Sequence, residues 1–214
     1  MAEVFNTEKL SQSTERKPPT LGPQEARIIR VIDLGVRRPH PKFPEAGAKR
    51  RILTVLELMD DKVVFDGKEG PMVSFHEFAV VGRRKGGEHS KCTALLEAAG
   101  IKGEFILSNL VGKPVLVTHG KDENGRVGVT MVSGVSKRAA DTMPQPTLDT
   151  YVIELTGSED AAVEKLSEKM RKKISEALNF PGSELQKQFD RIPVKSRSSD
   201  RALDTSTPAT EAPF

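Results

Sequence analysis

The sequence predicts a mainly β protein: a five-stranded barrel with one helix between the third and fourth strands, a C-terminal helical extension, and disordered tails. Three observations predict it. Runs dense in β-branched residues alternate with turn signals through the first two-thirds of the chain. A single helix-patterned stretch falls between the third and fourth of these runs and stops at Gly100. The last two runs are joined by KDENG, whose Asn124-Gly125 pair is the strongest short hairpin signal.

In chain order, residues 1–25 are polar, rich in Ser, Thr, Pro and Glu, and lack an apolar period, so they read as a disordered N-terminal segment. ARIIRVIDLG is the first strand, ending at Gly35. A long basic connection follows. KRRILTVLELMDD is the second strand, with Ile52, Thr54, Leu56 and Leu58 on one face and Arg51, Leu53, Val55, Glu57 and Met59 on the other. Asp60-Asp61 reads as its end. KVVFDGKEGP is a short strand running into a turn, with Asp66-Gly67 and Gly70-Pro71 as turn signals. MVSFHEFAVV is the third long strand, and a helix spans about Glu88 to Ala99. PVLVTHG and RVGVTMVSGV are the paired final strands.

This order, with a long loop after strand one, is that of the five-stranded OB barrel. An SH3-like barrel or a split α+β sheet shares the strand count; the helix position, the long loop after strand one and the hairpin between strands four and five favour the OB reading. The domain so defined is 26–138. Residues 139–195 hold a linker, the short apolar run YVIEL, and an amphipathic helix with Val163, Leu166, Met170, Ile174 and Leu178 as its stripe and Ser158 as N-cap. A second short helix is expected over Ser183 to Asp190, and a flexible tail over 196–214.

Composition narrows the function classes. Apolar residues make up 36% of the chain, below the usual ~45–50%, as polar tails require. No apolar run approaches the ~20 residues of a membrane span, and MAEVFNTEKL has no secretory character. The single cysteine, Cys92, excludes an internal disulfide. The expectation is a soluble, cytoplasmic protein. Residues 26–138 carry 20 Lys and Arg against 13 Asp and Glu, whereas residues 139–214 carry 10 against 13. A cationic body with a mildly acidic end points to a polyanionic partner.

Catalysis finds no support in the motifs. No phosphate loop, dinucleotide fingerprint, nucleophile elbow or zinc-protease helix occurs. His89 and Cys92 have metal-pair spacing without the second pair that a structural zinc site needs. No catalytic residue, metal or cofactor is expected.

Nucleic-acid binding finds more. Val36 to Arg51, VRRPHPKFPEAGAKRR, holds six basic residues, one acid and one aromatic. A groove for single strands needs cations along the phosphates and flat rings beneath the bases. The candidate residues are Arg37, Arg38, Lys42, Phe43, Lys49 and Arg51 here. GRRKGG adds Arg83, Arg84 and Lys85, and the hairpin adds Lys121 and Arg126. In strand three Phe75 and Phe78 have opposite parity; Val73, Phe75, Ala79 and Val81 form the more apolar set, so Phe78 is expected to face the groove.

ARIIRVIDLG, KRRILTVLEL, VSFHEFAV, LVGKPVLVTH and the glycine-bearing last strand resemble the OB-fold single-stranded DNA-binding proteins of tailed bacteriophages. The resemblance covers about residues 26–178 and includes YVIEL and the following helix. LLEAAG departs from the pattern, as does the longer and more basic first loop. The resemblance implies coating of exposed single-stranded DNA in phage replication or recombination, inside the host cytoplasm, without chemistry. ATEAPF resembles in its tip the tails with which such proteins dock replication partners, which makes Pro213 and Phe214 candidate docking residues. Two other readings are an interaction module, with the barrel as scaffold and the 159–178 helix as working surface, and an RNA-binding OB protein.

Overall fold

The computed structural model describes residues 18–39, 41–42, 44–65, 68–81 and 90–194. Five strands, β1 (Gly22–Arg37), β2 (Lys49–Phe65), β3 (Lys68–Ala79), β4 (Pro114–Lys121) and β5 (Val127–Ser133), form a curled, open antiparallel half-barrel in the order β3-β2-β1-β4-β5. A sixth, β6 (Tyr151–Ile153), pairs parallel with β1.

β1 organises the sheet. One edge runs along β2 from Ala26↔Leu58 to Arg37↔Lys49. Its other edge is divided: Gly22–Arg27 pairs with β4, and Arg30–Ile32 pairs with β6. A register shift between Ile28 and Arg30 separates the two stretches, as expected of a bulge that bends a strand. A second irregularity lies between Asp33 and Gly35, so the strand continues past the expected stop at Gly35. β2 likewise runs through Asp60-Asp61 to Phe65, with a register shift between Glu57 and Lys62. Asp61 accepts bonds from Thr20 N, Thr20 Oγ1 and Gln24 Nε2 at 2.7–3.0 Å, which ties the entry of β1 to β2.

Both faces of the sheet are covered. Inside the curl lies a cluster drawn from all five strands: Ala26, Ile28, Val31, Ile52, Leu56, Leu58, Met72, Phe78, Val115, Val117 and Val132. Helix α1 (Lys91–Ala98) closes over it with Cys92 and Leu95. Ser90 caps α1 by accepting from Thr93 N, and Gly100 (φ 71°) ends it as the sequence predicts.

The outer face of β1 and β2 carries a second cluster. Ile32, Leu34 and Leu53 meet Ile153, Leu155, Val163, Leu166, Ile174, Ala177, Phe180 and Leu185. The latter come from β6, from helices α3 (Asp160–Glu164), α4 (Glu168–Ser175) and α5 (Glu184–Arg191), and from their connections; a short α2 (Lys137–Thr142) precedes them. Residues on both sides of position 138 therefore share one core. The helix expected over about 159–178 is broken: Ser167 takes the α4 cap by accepting from Met170 N, while Ser158 instead accepts from Glu154 N. The break turns Val163 and Ile174, each fully buried, onto the same sheet.

Two buried charges fasten this covering. Arg27 donates to the carbonyls of Gly112, Met143 and Pro144 at 2.6–2.8 Å. The Glu57 carboxylate accepts from Thr147 N, Thr147 Oγ1 and Leu148 N at 2.8–3.1 Å. A buried charge is tolerated when its hydrogen-bonding capacity is met in this way. No described helix is long and apolar enough to cross a membrane.

Candidate nucleic-acid interface

The pairing register decides which predicted residues meet. Arg37 lies opposite Lys49 at the C-terminal end of β1. At the other end Gly22 lies opposite His119, two residues before Lys121. The β1–β2 connection and the β4–β5 hairpin thus leave from opposite ends of β1. The hairpin is also balanced in charge: Lys121 and Arg126 share it with Asp122 and Glu123, all exposed. Asp122 is further engaged, its Oδ1 accepting from Asn124 N and Arg126 N.

Phe78 is a correction. It is 2% exposed and belongs to the inner cluster, with its ring 5.6 Å from that of His76. Phe75 has the opposite parity and packs toward the outer clusters. Apolar content could not choose between the two faces, because the C-terminal segment buries the outer one as well. Phe43, Arg83, Arg84, Lys85, His40, His89, Pro213, Phe214 and the Asp66-Gly67 turn lie outside the described residues. Cys92 is buried on the core-facing side of α1, where burial pushes its thiol pKa up.

The basic end of β1 and β2 is built from arginines with unequal freedom. Arg50 forms a two-point pair with buried Asp33 (2.7 and 3.2 Å), whose Oδ1 also accepts from Gly35 N. Bonding to Asp33 raises the Arg50 pKa, and the pair holds the bulged end of β1 in shape. Arg37 is tied to Glu176 at 3.1 Å and to the Leu34 carbonyl, with its side chain 17% exposed. Arg51 pairs with Glu77 at 3.0 Å yet stays 45% exposed. The side chains of Arg38 and Lys49 are exposed and form no ion pair among the described residues. Lys42 is exposed and has a partner.

The structure adds cations that the sequence reading missed. Packing of the segment after α4 on β1, with Leu178 N donating to Val36 O and Val36 N to Asn179 Oδ1, brings Lys173 onto Glu77 at 2.7 Å. Arg51 and Lys173 therefore share one carboxylate, and Lys172, next to Lys173 in the chain, is exposed. No local signal marks Lys173, which lies 96 residues from Glu77.

The composite surface thus holds Arg38, Lys49, Arg51, Lys172 and Lys173, with Glu77 shared between two of its cations. Such a surface can follow a phosphate backbone. Arg37 contributes charge but already has a carboxylate partner. Among the described residues no group of three His, Cys, Asp or Glu could hold a metal. No family model and no curated protein matches this chain.

Proposed function

We propose that this protein binds single-stranded DNA without sequence preference, coating exposed strands in phage replication or recombination as the resemblance in its motifs implies. The half-barrel is read as an OB-type barrel whose β3 and β5 edges approach without a ladder between them among the described residues. Its strand order and the position of α1 between β3 and β4 in the chain support that assignment.

The observation that carries the functional reading is the sharing of Glu77 by Arg51 and Lys173, with Arg38, Lys49 and Lys172 exposed nearby. A carboxylate that neutralises only one of two cations leaves a positive site open to phosphate. Binding is then dominated by the backbone, with stacking secondary. The reading with the 159–178 helix as a working surface is less favoured, because Val163, Leu166 and Ile174 of its stripe are spent on the protein's own sheet.

The test is a salt titration with labelled oligothymidine, a duplex of equal length and a matched RNA strand. Log affinity for oligothymidine should fall with log salt at about 0.7 per phosphate contacted. The pairs Arg38→Glu with Lys49→Glu, and Lys172→Glu with Lys173→Glu, should each weaken binding and flatten that slope. A salt-independent interaction, a preference for duplex, or unchanged binding in both double variants would overturn the proposal. Tighter binding to the RNA arm would reassign the ligand.

A further inference from the structure

We propose that the edge of β6 facing away from β1 docks an extended, basic segment of a partner protein; this goes beyond the single-strand reading and does not rest on it. Arg30–Ile32 of β1 pair with Tyr151–Ile153, and no other strand joins β6 among the described residues. The outermost strand of a sheet offers its backbone hydrogen-bonding groups to an added chain. A cleft of about 1240 Å³, lined by Thr150, Tyr151, Val152 and Glu154 among others, runs along this edge. That exceeds the roughly 300–1,000 Å³ of small-molecule sites.

The cleft has two unlike walls. Val152 packs with Val111 against the inner cluster, whereas Ile153 shares the outer cluster with Ala162, Val163 and Leu185. The α1–β4 connection therefore stands on one side of β6, and α3 and α5 stand on the other. On the first side Ile106 is 63% exposed at the cleft and offers an apolar contact. On the second side charge dominates. Lys187 is paired with Glu184 and Arg191 with Asp160, at 2.7 and 2.8 Å. Glu159, and Glu154 just past β6, line the cleft and form no ion pair among the described residues. Glu154 acts on Arg50, but that guanidinium is already held by Asp33. The cleft is left with a surplus of negative charge.

That surplus selects the occupant. It would repel a phosphate backbone, so the cleft is no extension of the cationic surface around Arg51. A polypeptide fits it. Added as a strand, a peptide alternates its side chains between the two walls. One set then meets Ile106 and the other meets the carboxylates, so basic residues alternating with small apolar ones satisfy both. Main-chain bonds to β6 supply affinity, and the alternating contacts supply the choice of partner. With three residues in β6 the ladder is short, which suits a transient contact.

The experiment uses the full chain with the photoreactive substitution Ile106→benzoylphenylalanine, and Ser108→benzoylphenylalanine as a second position in the same cleft. Both residues are exposed, so the fold tolerates the label, which thermal melts check. The probe is a short peptide alternating Val and Lys. Its controls are a counterpart alternating Val and Glu, and the Val and Lys peptide with every backbone nitrogen methylated, which keeps the charge but cannot pair with β6. No nucleic acid is present. Irradiation should join the Val and Lys peptide to the chain, with about tenfold less of either control. Glu154→Gln combined with Glu159→Gln should lower that yield by about the same factor. No adduct, equal adducts with a control, or an unchanged yield in the glutamine variant would overturn the proposal. Adducts confined to the protein's own chain, or to a second copy of it, would also overturn it and assign the cleft to that occupant. A failure of oligothymidine binding touches only the functional reading above.

Discussion

Replacing Gly35 with alanine should detach the C-terminal covering from the end of β1. Gly35 has φ 70°, a left-handed conformation that costs an L-residue about 1–2 kcal/mol. A Cβ built there lies 2.5 Å from Ala177 Cβ, 2.7 Å from Asn179 Oδ1 and 3.0 Å from Leu155 Cδ1. None of these neighbours can yield freely: Ala177 and Leu155 are core, and Asn179 Oδ1 accepts from Val36 N. Overpacking of this kind adds about 1–3 kcal/mol. The expected loss is thus about 2–5 kcal/mol, read as a lowered urea midpoint in equilibrium unfolding. Because Glu176 and Lys173 ride on the same segment, oligothymidine binding should weaken in conditions where the variant is still folded. A loss under about 1 kcal/mol, with binding intact, would refute the close packing of α4 and its exit on β1.

Two further predictions concern the inner face. His76 is held neutral by burial, its pKa lowered from 6.5 to about 4. Its contribution should be whole above pH 6.5 and fade as pH falls toward 4, because only the unfolded chain takes the proton in that window. The slope is about 1.4 kcal/mol per pH unit, about 3 kcal/mol in all. The difference between wild-type and His76→Leu stability profiles isolates it from the carboxylates; parallel profiles would contradict the assignment. Phe78→Leu should cost about 1–3 kcal/mol in unfolding experiments and leave oligothymidine affinity unchanged, since the ring lies in the core. A folded Phe78→Leu protein with weakened binding would restore the ring to the interface.

Much of the fold was legible because its signals are local. The β-branched runs, the Gly100 stop of α1 and the Asn124-Gly125 turn each act within a few residues. What escaped reading depends on contacts far along the chain. Phe75 and Phe78 could not be assigned while the outer face was taken as exposed to solvent. β6 has only three strand residues, and its pairing with β1 is a parallel contact that no turn announces. The Asp60-Asp61 pair looks like a strand end, but Asp61 is a hydrogen-bond anchor for Thr20 and Gln24. Of the candidate interface, Arg38, Lys49 and Arg51 are exposed as expected. The share taken by Glu176 and Glu77, and the arrival of Lys173, follow from tertiary packing that charge counting does not see.

The parallel insertion of β6 and the seating of α4 on β1 have a consequence for biosynthesis. Val36, made early, bonds Asn179, made 143 residues later. As the ribosome extends the chain, the apolar flank formed by Ile32, Leu34 and Leu53 stays wet until the last third has emerged. Long-range closure of this kind slows folding and leaves sticky intermediates. A nascent chain halted near residue 138 should therefore engage chaperones or aggregate, and release of the remaining segment should end that state.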